Sequence, residues 1–191
     1  MKNVAVLLGS LSENSINKTL AKAIEKLAEG RLHFDYLDIA ALPFYNNDLR
    51  DNPPAAVTDL KRRVEAADAV LIVTPEFNRS FPGIIKNALD WGSRPYGHSS
   101  WSGKPLALAG ASVGAIGTAA VQSQLRSVLP VLGFVVMGQP EVYFQFQPGL
   151  IDEHFEVTDD QSRAFLAGFV DSFVSWIERH GERHALSVAA E

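Results

Sequence analysis

The sequence predicts an α/β domain in which helices cover both faces of an open parallel sheet. Strand and helix signals alternate from end to end, which is the order expected when helices connect parallel strands. The runs Val4 to Leu8 and Ala69 to Val73 are continuously apolar, as expected of strands buried on both faces. Between the strand-like runs, apolar residues recur at helical spacing. These three observations together predict five strand-and-helix units.

Each unit is placed by its own local signals. The predicted strands cover Val4 to Leu8, His33 to Ile39, Ala69 to Val73, Lys104 to Ala109 and Phe134 to Met137. The predicted helices lie over Ile16 to Leu27, Val57 to Val64, Ile84 to Leu89, Ala119 to Leu132 and, after a capping pattern, from Thr158 onward. We expect one domain over residues 1–180 and a frayed tail over 181–191, because repeats, linkers and low-complexity tracts are absent from the sequence.

Composition restricts the possible functions. The net charge is −5, and the 17 Lys and Arg residues form no basic stripe, which argues against nucleic acid as a partner. Without cysteine the chain has no disulfide, thiol relay or iron–sulfur cluster, and its histidines lack metal-ligand spacing. The first apolar run ends at Gly9, too early for a signal peptide or a membrane span. We therefore expect a cytoplasmic protein with no membrane partner and no metal site.

The first candidate loop covers residues 9–17 and follows the first strand. Backbone N–H groups at a helix start, together with the positive end of the helix dipole, favour an anion such as phosphate. Its short polar side chains, which could donate to phosphate oxygens, are Ser10, Ser12, Ser15 and Asn17. The loop lacks both the P-loop pattern and the dinucleotide-binding glycine pattern. A simpler alternative is that Asn14 or Ser15 only caps the helix.

The second candidate loop covers residues 74–83 and the third covers residues 110–118; each follows a predicted strand. The second combines a rigid Pro75 with the aromatic Phe77 and the amide of Asn78, which suits the faces and edge of a planar heteroaromatic ring. The alternative is an ordinary turn in which Ser80 caps the next helix. The third loop is rich in small residues, which let a ligand approach the backbone closely. Ligands of open parallel sheets bind at this edge, so the three loops form one candidate site.

Together these segments resemble the NADPH-dependent FMN reductase family, which includes quinone, azo and chromate reductases. The resemblance extends over residues 3–180 and rests on Gly9-Ser10 through Ser15-x-Asn17, on Pro75-Glu76-Phe77-Asn78 with Pro82-Gly83-x-x-Lys86-Asn87-Ala88-Leu89-Asp90-Trp91, and on Ser112-x-Gly114. It implies a flavodoxin-like three-layer sandwich whose five parallel strands run in the order 2-1-3-4-5. It also implies a homodimer or homotetramer with flavin sites near subunit contacts.

The resemblance further implies FMN as the cofactor and NADPH or NADH as the co-substrate. Its implied binding residues are Ser10, Ser15, Ile16 and Asn17 at the phosphate, Pro75, Glu76, Phe77 and Asn78 along the isoalloxazine, and Ser112 beside the ring. Ser12, Arg79 and Gly114 complete the predicted cofactor-binding set. The implied reaction passes hydride from NAD(P)H through flavin N5 to a small acceptor in ping-pong order, the acceptor being a quinone, azo compound, free flavin or chromate. Because the flavin carries the chemistry, no catalytic side chain is predicted.

Three positions depart from the family's usual pattern. The family often has arginine where Ser12 stands, tyrosine where Phe77 stands, and a small or uncharged residue where Arg79 stands. Losing the arginine removes a charge-assisted bond to phosphate. We expect Arg79 either to compensate for that loss or to bind a phosphate of the nicotinamide nucleotide; the alternative is a solvated surface arginine.

Two other functions compete with this interpretation. A flavodoxin-type electron carrier would hold the same FMN but would not oxidise NAD(P)H by itself; a net charge of −5 is mild for such carriers, which favour strongly acidic surfaces. A serine hydrolase is the second alternative, because residues 110–114 match Gly-x-Ser-x-Gly around Ser112, with Asp171 and His180 following in the right order. The hydrolase interpretation leaves the first loop unexplained.

Overall fold

The computed structural model describes the backbone of residues 1–188 and the side chains of residues 1–181. The end of the predicted frayed tail, residues 189–191, lies outside the described residues. The division into a domain of residues 1–180 and a tail of residues 181–191 therefore stays a prediction.

A parallel sheet forms the centre of the described fold. Its strands are β1 (Lys2–Leu8), β2 (Leu32–Tyr36), β3 (Ala69–Val73), β4 (Pro105–Ser112), β5 (Val135–Val136) and β6 (Val142–Gln145). They are hydrogen-bonded in the order β2-β1-β3-β4-β5, and β6 also pairs with β4. All of these pairings are parallel. The predicted strand order is confirmed, and β6 is an addition to it.

Helices cover both faces of the sheet and create two hydrophobic cores. They are α1 (Ile16–Leu27), α2 (Ala55–Ala66), α3 (Gly83–Gly92), α4 (Ala119–Val128) and α5 (Asp160–Val188). Side chains alternate across β1, so Val4 and Val6 enter the core beneath α1 and α5. Ala5 and Leu7 enter the opposite core with residues of α2, α3 and α4. The continuous apolar run of β1 is therefore explained by burial on both faces.

The extents predicted for the second, fourth and fifth strands were wrong. The second strand stops at Tyr36, because the residues that prolonged its apolar signal enter a 3-10 turn at Ile39–Ala41, in which Ile39 is buried without strand pairing. The fourth strand continues to Ser112, because β6 pairs with it along the register that ends at Gln145. The fifth strand keeps only two residues, and the chain rejoins the sheet edge as β6.

The predicted end of the fourth helix and the predicted start of the fifth helix also differ from the structure. Helix α4 stops at Val128 and continues as a 3-10 turn, because Pro130 supplies no N–H for the α-helical ladder. Helix α5 begins at Asp160 rather than at Thr158. Its cap is Asp159, whose Oδ2 accepts from the N–H of Ser162 at 2.7 Å. The Thr158 hydroxyl instead donates to the Gly149 carbonyl at 2.6 Å.

Among the described helices, none combines the length and the apolar character needed to cross a lipid bilayer. The described part of the chain likewise holds no group of three or more His, Asp or Glu side chains suited to a metal ion.

Candidate cofactor site

The three loops meet around the buried residue Thr74, which directly follows β3. The N–H of Gly9 donates to the Val73 carbonyl at 2.8 Å, and the N–H of Thr74 donates to the Ala109 carbonyl at 3.0 Å. A Cβ atom on Gly9 would lie 2.6 Å from the Thr74 hydroxyl, and one on Gly110 would lie 2.4 Å from the Thr74 carbonyl oxygen. Glycine at both positions therefore lets the first and third loops lie directly against the second.

The first loop ends in the capped start of α1. The hydroxyl oxygen of Ser15 accepts from the N–H of Lys18 at 3.3 Å, so its hydrogen can be donated elsewhere. The first backbone hydrogen bond of the helix runs from the Thr19 N–H to the Ser15 carbonyl. The N–H groups of Ile16 and Asn17 therefore precede the hydrogen bonds within the helix. Ser15 is therefore a cap, and the helix start still offers N–H donors and a positive dipole to an anion.

Asn17 has a role that its sequence position did not reveal. Asn17 is buried, with 2% of its surface exposed. The amide donates to the Ala111 carbonyl at 3.0 Å and accepts from the Ala111 N–H at 2.8 Å. The side chain that we expected at a phosphate thus ties α1 to β4, and only its backbone N–H remains for an anion.

The second loop forms a tight hairpin. Phe77 and Ser80 exchange two backbone hydrogen bonds of 2.9 Å each. The two central residues, Asn78 and Arg79, have positive φ angles of 52° and 65°. Positive φ at both central positions is the type I′ arrangement, which favours Asn at the first and glycine at the second. Ser80 does not cap α3; that cap is Pro82, and the Ser80 hydroxyl donates to Gln124 Oε1 at 2.8 Å.

Glu76 fixes this hairpin to α4. One carboxylate oxygen accepts from the N–H groups of Ala120 and Val121 at 3.1 and 3.2 Å, and the side chain is 10% exposed. The other oxygen accepts from Arg79 Nη1 at 3.3 Å. A carboxylate at a helix N-terminus satisfies orphan N–H donors and complements the dipole. The Glu76 side chain is therefore directed at α4, and its backbone is the part left to line a ring.

The third loop is supported by the strand that the sequence analysis missed. A Cβ on Gly117, whose φ is 62°, would lie 2.8 Å from the Tyr143 carbonyl carbon and oxygen. Burial, with a hydrogen bond and the charge of Glu141, raises the pKa of Tyr143 to about 12, so its phenol stays neutral. Inside the loop, the Ser112 hydroxyl oxygen accepts from the Gly114 N–H at 3.2 Å, which leaves its hydrogen for a ligand. The β-prone run Val142 to Phe144 was the available signal for β6.

Large apolar side chains are exposed on all three loops. Leu11 is 63% exposed, Phe77 54%, Val113 74% and Ile116 56%. Exposed apolar groups beside polar loops are typical of a binding surface. The donor set at the start of α1 suits a phosphate, and the apolar groups beside Asn78 suit a planar ring with a polar edge. On these grounds the residues present fit FMN.

The hydrolase triad is not assembled. Ser112 lies at the carboxyl end of β4, whereas Asp171 pairs with Arg31, which directly precedes β2 at the opposite edge of the sheet. The ring of His180 packs 4.1 Å from that of Trp176, whose indole donates to the first residue of β5, again at the amino edge. The Ser112 motif is therefore part of the small-residue loop rather than a nucleophile elbow.

Comparisons with known proteins identify the family and several relatives of this chain. The family model for NADPH-dependent FMN reductase matches residues 2–149. A 2-hydroxy-1,4-benzoquinone reductase from a Burkholderia species is 46% identical, over 91% of this chain and 95% of its own. A quinone reductase from Pseudomonas putida is 43% identical, over 92% of this chain and 95% of its own.

Solved structures give the same result. FerB, a flavoenzyme NAD(P)H:(acceptor) oxidoreductase from Paracoccus denitrificans, is 51% identical with a TM-score of 0.93, covering 94% of this chain and 99% of its own. A Pseudomonas aeruginosa flavodoxin, 18% identical with a TM-score of 0.55 over 92% of this chain and 99% of its own, shares the fold. The chain belongs to the NADPH-dependent FMN reductase family.

Proposed function

We propose that this chain is an FMN-dependent enzyme that takes two electrons from NADPH or NADH and passes them to a small quinone in ping-pong order. The observation that carries the proposal is the meeting of three loops at Thr74, with an anion-favouring helix start and exposed apolar side chains around it. The names of the two relatives support a quinone as the acceptor. Azo compounds, free flavin and chromate stay predicted acceptors from the sequence.

The phosphate of FMN is proposed to lie at the start of α1. Hydroxyls of Ser10, Ser12 and Ser15 donate to it, together with the N–H groups of Ile16 and Asn17. The Asn17 side chain contributes indirectly, because it holds α1 against β4. Riboflavin, which lacks the phosphate, is therefore expected to bind more weakly than FMN, and the difference in affinity should come from the contacts of the first loop alone.

The ring is proposed to lie between the second and third loops. The groups assigned to it are the backbone of Pro75 and Glu76, the Phe77 side chain, the Asn78 amide, the Ser112 hydroxyl and the backbone surface of Gly114, which has no side chain in the way. When bound, FMN supplies hydride acceptance and two-electron donation. The protein's own tasks are to orient the donor and the acceptor at one exposed surface and to exclude water with apolar groups such as Phe77. No side chain is needed as an acid or base.

Asn78→Gly is expected to weaken flavin binding without unfolding the hairpin. Glycine accepts the φ of 52° at this position, so the unfolding free energy should change by less than about 1 kcal/mol. Loss of an amide bond to the ring edge should raise the dissociation constant about fivefold, since one hydrogen bond contributes roughly 1 kcal/mol. Fluorescence titration with FMN and riboflavin measures this. If the dissociation constants for both flavins rise by the same factor, the result supports a contact between Asn78 and the ring. A rise for FMN alone would contradict that contact.

Assembly and location are also proposed rather than observed. We propose a homodimer or homotetramer, supported by the exposed apolar side chains of Leu11, Phe77, Val113 and Ile116. A cytoplasmic location stays the expectation from the sequence.

Initial rates with NADPH and benzoquinone both varied test the kinetic order. Parallel double-reciprocal lines support ping-pong order, and intersecting lines would overturn it. An absence of NADPH oxidation by the purified flavoprotein would favour the electron carrier instead.

A further inference from the structure

Arg79 occupies a backbone position that suits glycine better than arginine. Its φ of 65° lies in the left-handed region, at the second central residue of the type I′ hairpin. L-residues with side chains adopt this conformation at a cost in conformational free energy that glycine avoids. A costly conformation at a site of loops is a reason to look for a function of the side chain.

The hairpin holds the Arg79 backbone firmly in place. Gln124 of α4 donates to the Arg79 carbonyl at 2.7 Å and accepts from the Ser80 hydroxyl at 2.8 Å. Glu76, one residue before the hairpin, is bonded to the first turn of the same helix. The base of the arginine side chain is therefore fixed relative to α4, while the hairpin directs its far end to solvent.

The guanidinium group is largely available for a ligand. Its side chain is 68% exposed, and its one hydrogen bond to the described residues is the 3.3 Å contact with Glu76. The other carboxylate oxygen of Glu76 is already occupied by the N-terminus of α4. Most of the five N–H donors of Arg79 therefore lack a partner within the described part of the chain.

Arg79 is also the one cation on the three loops, all of whose residues are described. Residues 9–17, 74–83 and 110–118 otherwise contain the acids Glu13 and Glu76 and uncharged residues. The next cation after the first loop, Lys18, lies on α1. An anionic substrate that approaches the exposed surface of these loops therefore meets a single arginine on the second loop.

We infer that Arg79 binds a phosphate group of the reduced pyridine dinucleotide donor; this inference rests on the proposed function. The planar guanidinium matches the oxygens of phosphate through paired N–H bonds, and a lysine could not reproduce that geometry. Both NADH and NADPH carry a pyrophosphate, and NADPH adds a phosphate on the adenosine ribose. Either phosphate has the chemistry that Arg79 recognises. Arg79 is then a residue that decides donor affinity, separate from the groups that hold the flavin.

The test is Arg79→Gln in the FMN-loaded protein, with Lys86→Gln as a control of equal charge change. Lys86 lies on α3 and pairs with Asp90 of the same helix, outside the three loops. We expect kcat/KM for NADPH to fall about tenfold in Arg79→Gln, because a charge-assisted hydrogen bond is lost, and to stay near wild type in the control. Calorimetry with 2′,5′-ADP and with ADP gives a readout that is independent of turnover.

The two donors separate the two phosphates. If Arg79→Gln lowers kcat/KM only for NADPH and affinity only for 2′,5′-ADP, Arg79 binds the ribose phosphate. If kcat/KM for NADH and affinity for ADP fall by the same factors, Arg79 binds the pyrophosphate. Both results support the inference. The inference would be overturned if kcat/KM and the affinities for the ADP analogues were unchanged in Arg79→Gln, or if Lys86→Gln lowered them equally. It would also be overturned if weaker FMN binding by Arg79→Gln accounted for the whole fall in kcat/KM. If the wild type is reduced by either donor and Arg79→Gln behaves identically, only this inference fails. If neither donor reduces the wild type, the proposed function fails first.

Discussion

Gly110→Ala is expected to lower the free energy of unfolding by about 3 kcal/mol, because overpacking at a site that cannot relax has a cost of this size. The new Cβ would lie 2.4 Å from the Thr74 carbonyl oxygen and 2.4 Å from the Thr118 hydroxyl. The first of these is a backbone atom of the second loop, so relief requires the two loops to separate. FMN affinity should fall together with stability. Urea denaturation monitored by tryptophan fluorescence, with and without FMN, measures both.

The matched control is Gly168→Ala on the exposed face of α5. Nothing lies within 4 Å of its Cβ position, so alanine should stabilise the helix by roughly 0.5–1 kcal/mol. The same substitution, glycine to alanine, is therefore expected to lower the free energy of unfolding at position 110 and to raise it at position 168. A Gly110→Ala protein as stable as wild type would show that the third loop does not pack against Thr74.

Asn17→Ala is expected to reduce stability by about 2–4 kcal/mol, because two buried bonds are lost and the N–H and carbonyl of Ala111 lose their side-chain partner. Asn14→Ala is the control on the same loop, since Asn14 is exposed and its removal should change stability by less than about 0.5 kcal/mol. Both values come from urea denaturation.

Flavin titration then separates two roles for Asn17. If its side chain positions α1 against β4, Asn17→Ala lowers the affinities for FMN and for riboflavin by similar factors, because the binding of either flavin requires the loops to stay together. A loss seen with FMN and absent with riboflavin would instead show direct contact between the amide and the phosphate. The bonds to Ala111 favour the first result.

Much of the fold followed from the sequence because buried parallel strands leave a strong local signal. Val4 to Leu8 and Ala69 to Val73 are apolar at every position, and each proved to be a strand with neighbours on both sides. The family, the FMN cofactor and the strand order predicted from the sequence are confirmed. Strand β6 was missed because residues 137–141, which are not in a strand, separate its four residues from β5. Its pairing with β4 is a long-range contact.

The site was predicted in outline but not in the roles of individual side chains. Loop positions can be inferred from strand ends, because the carboxyl ends of parallel strands meet at one edge. Whether a polar side chain faces a ligand or the protein depends on partners far away in sequence. Asn17 bonds to Ala111 and Glu76 bonds to the start of α4, and neither contact has a local sequence signal. The direct ligand contacts of the predicted residues stay predictions.

One measurement tests the central claim most directly: the absorption spectrum of the purified protein loaded with FMN, followed by anaerobic addition of NADPH and then of benzoquinone. The proposed function predicts a flavin band that bleaches with about one equivalent of NADPH and returns with about one equivalent of quinone, since each transfer moves two electrons. No partner protein is needed for either step. A protein that binds no FMN, or that holds FMN which neither NADPH nor NADH can bleach, would contradict the account.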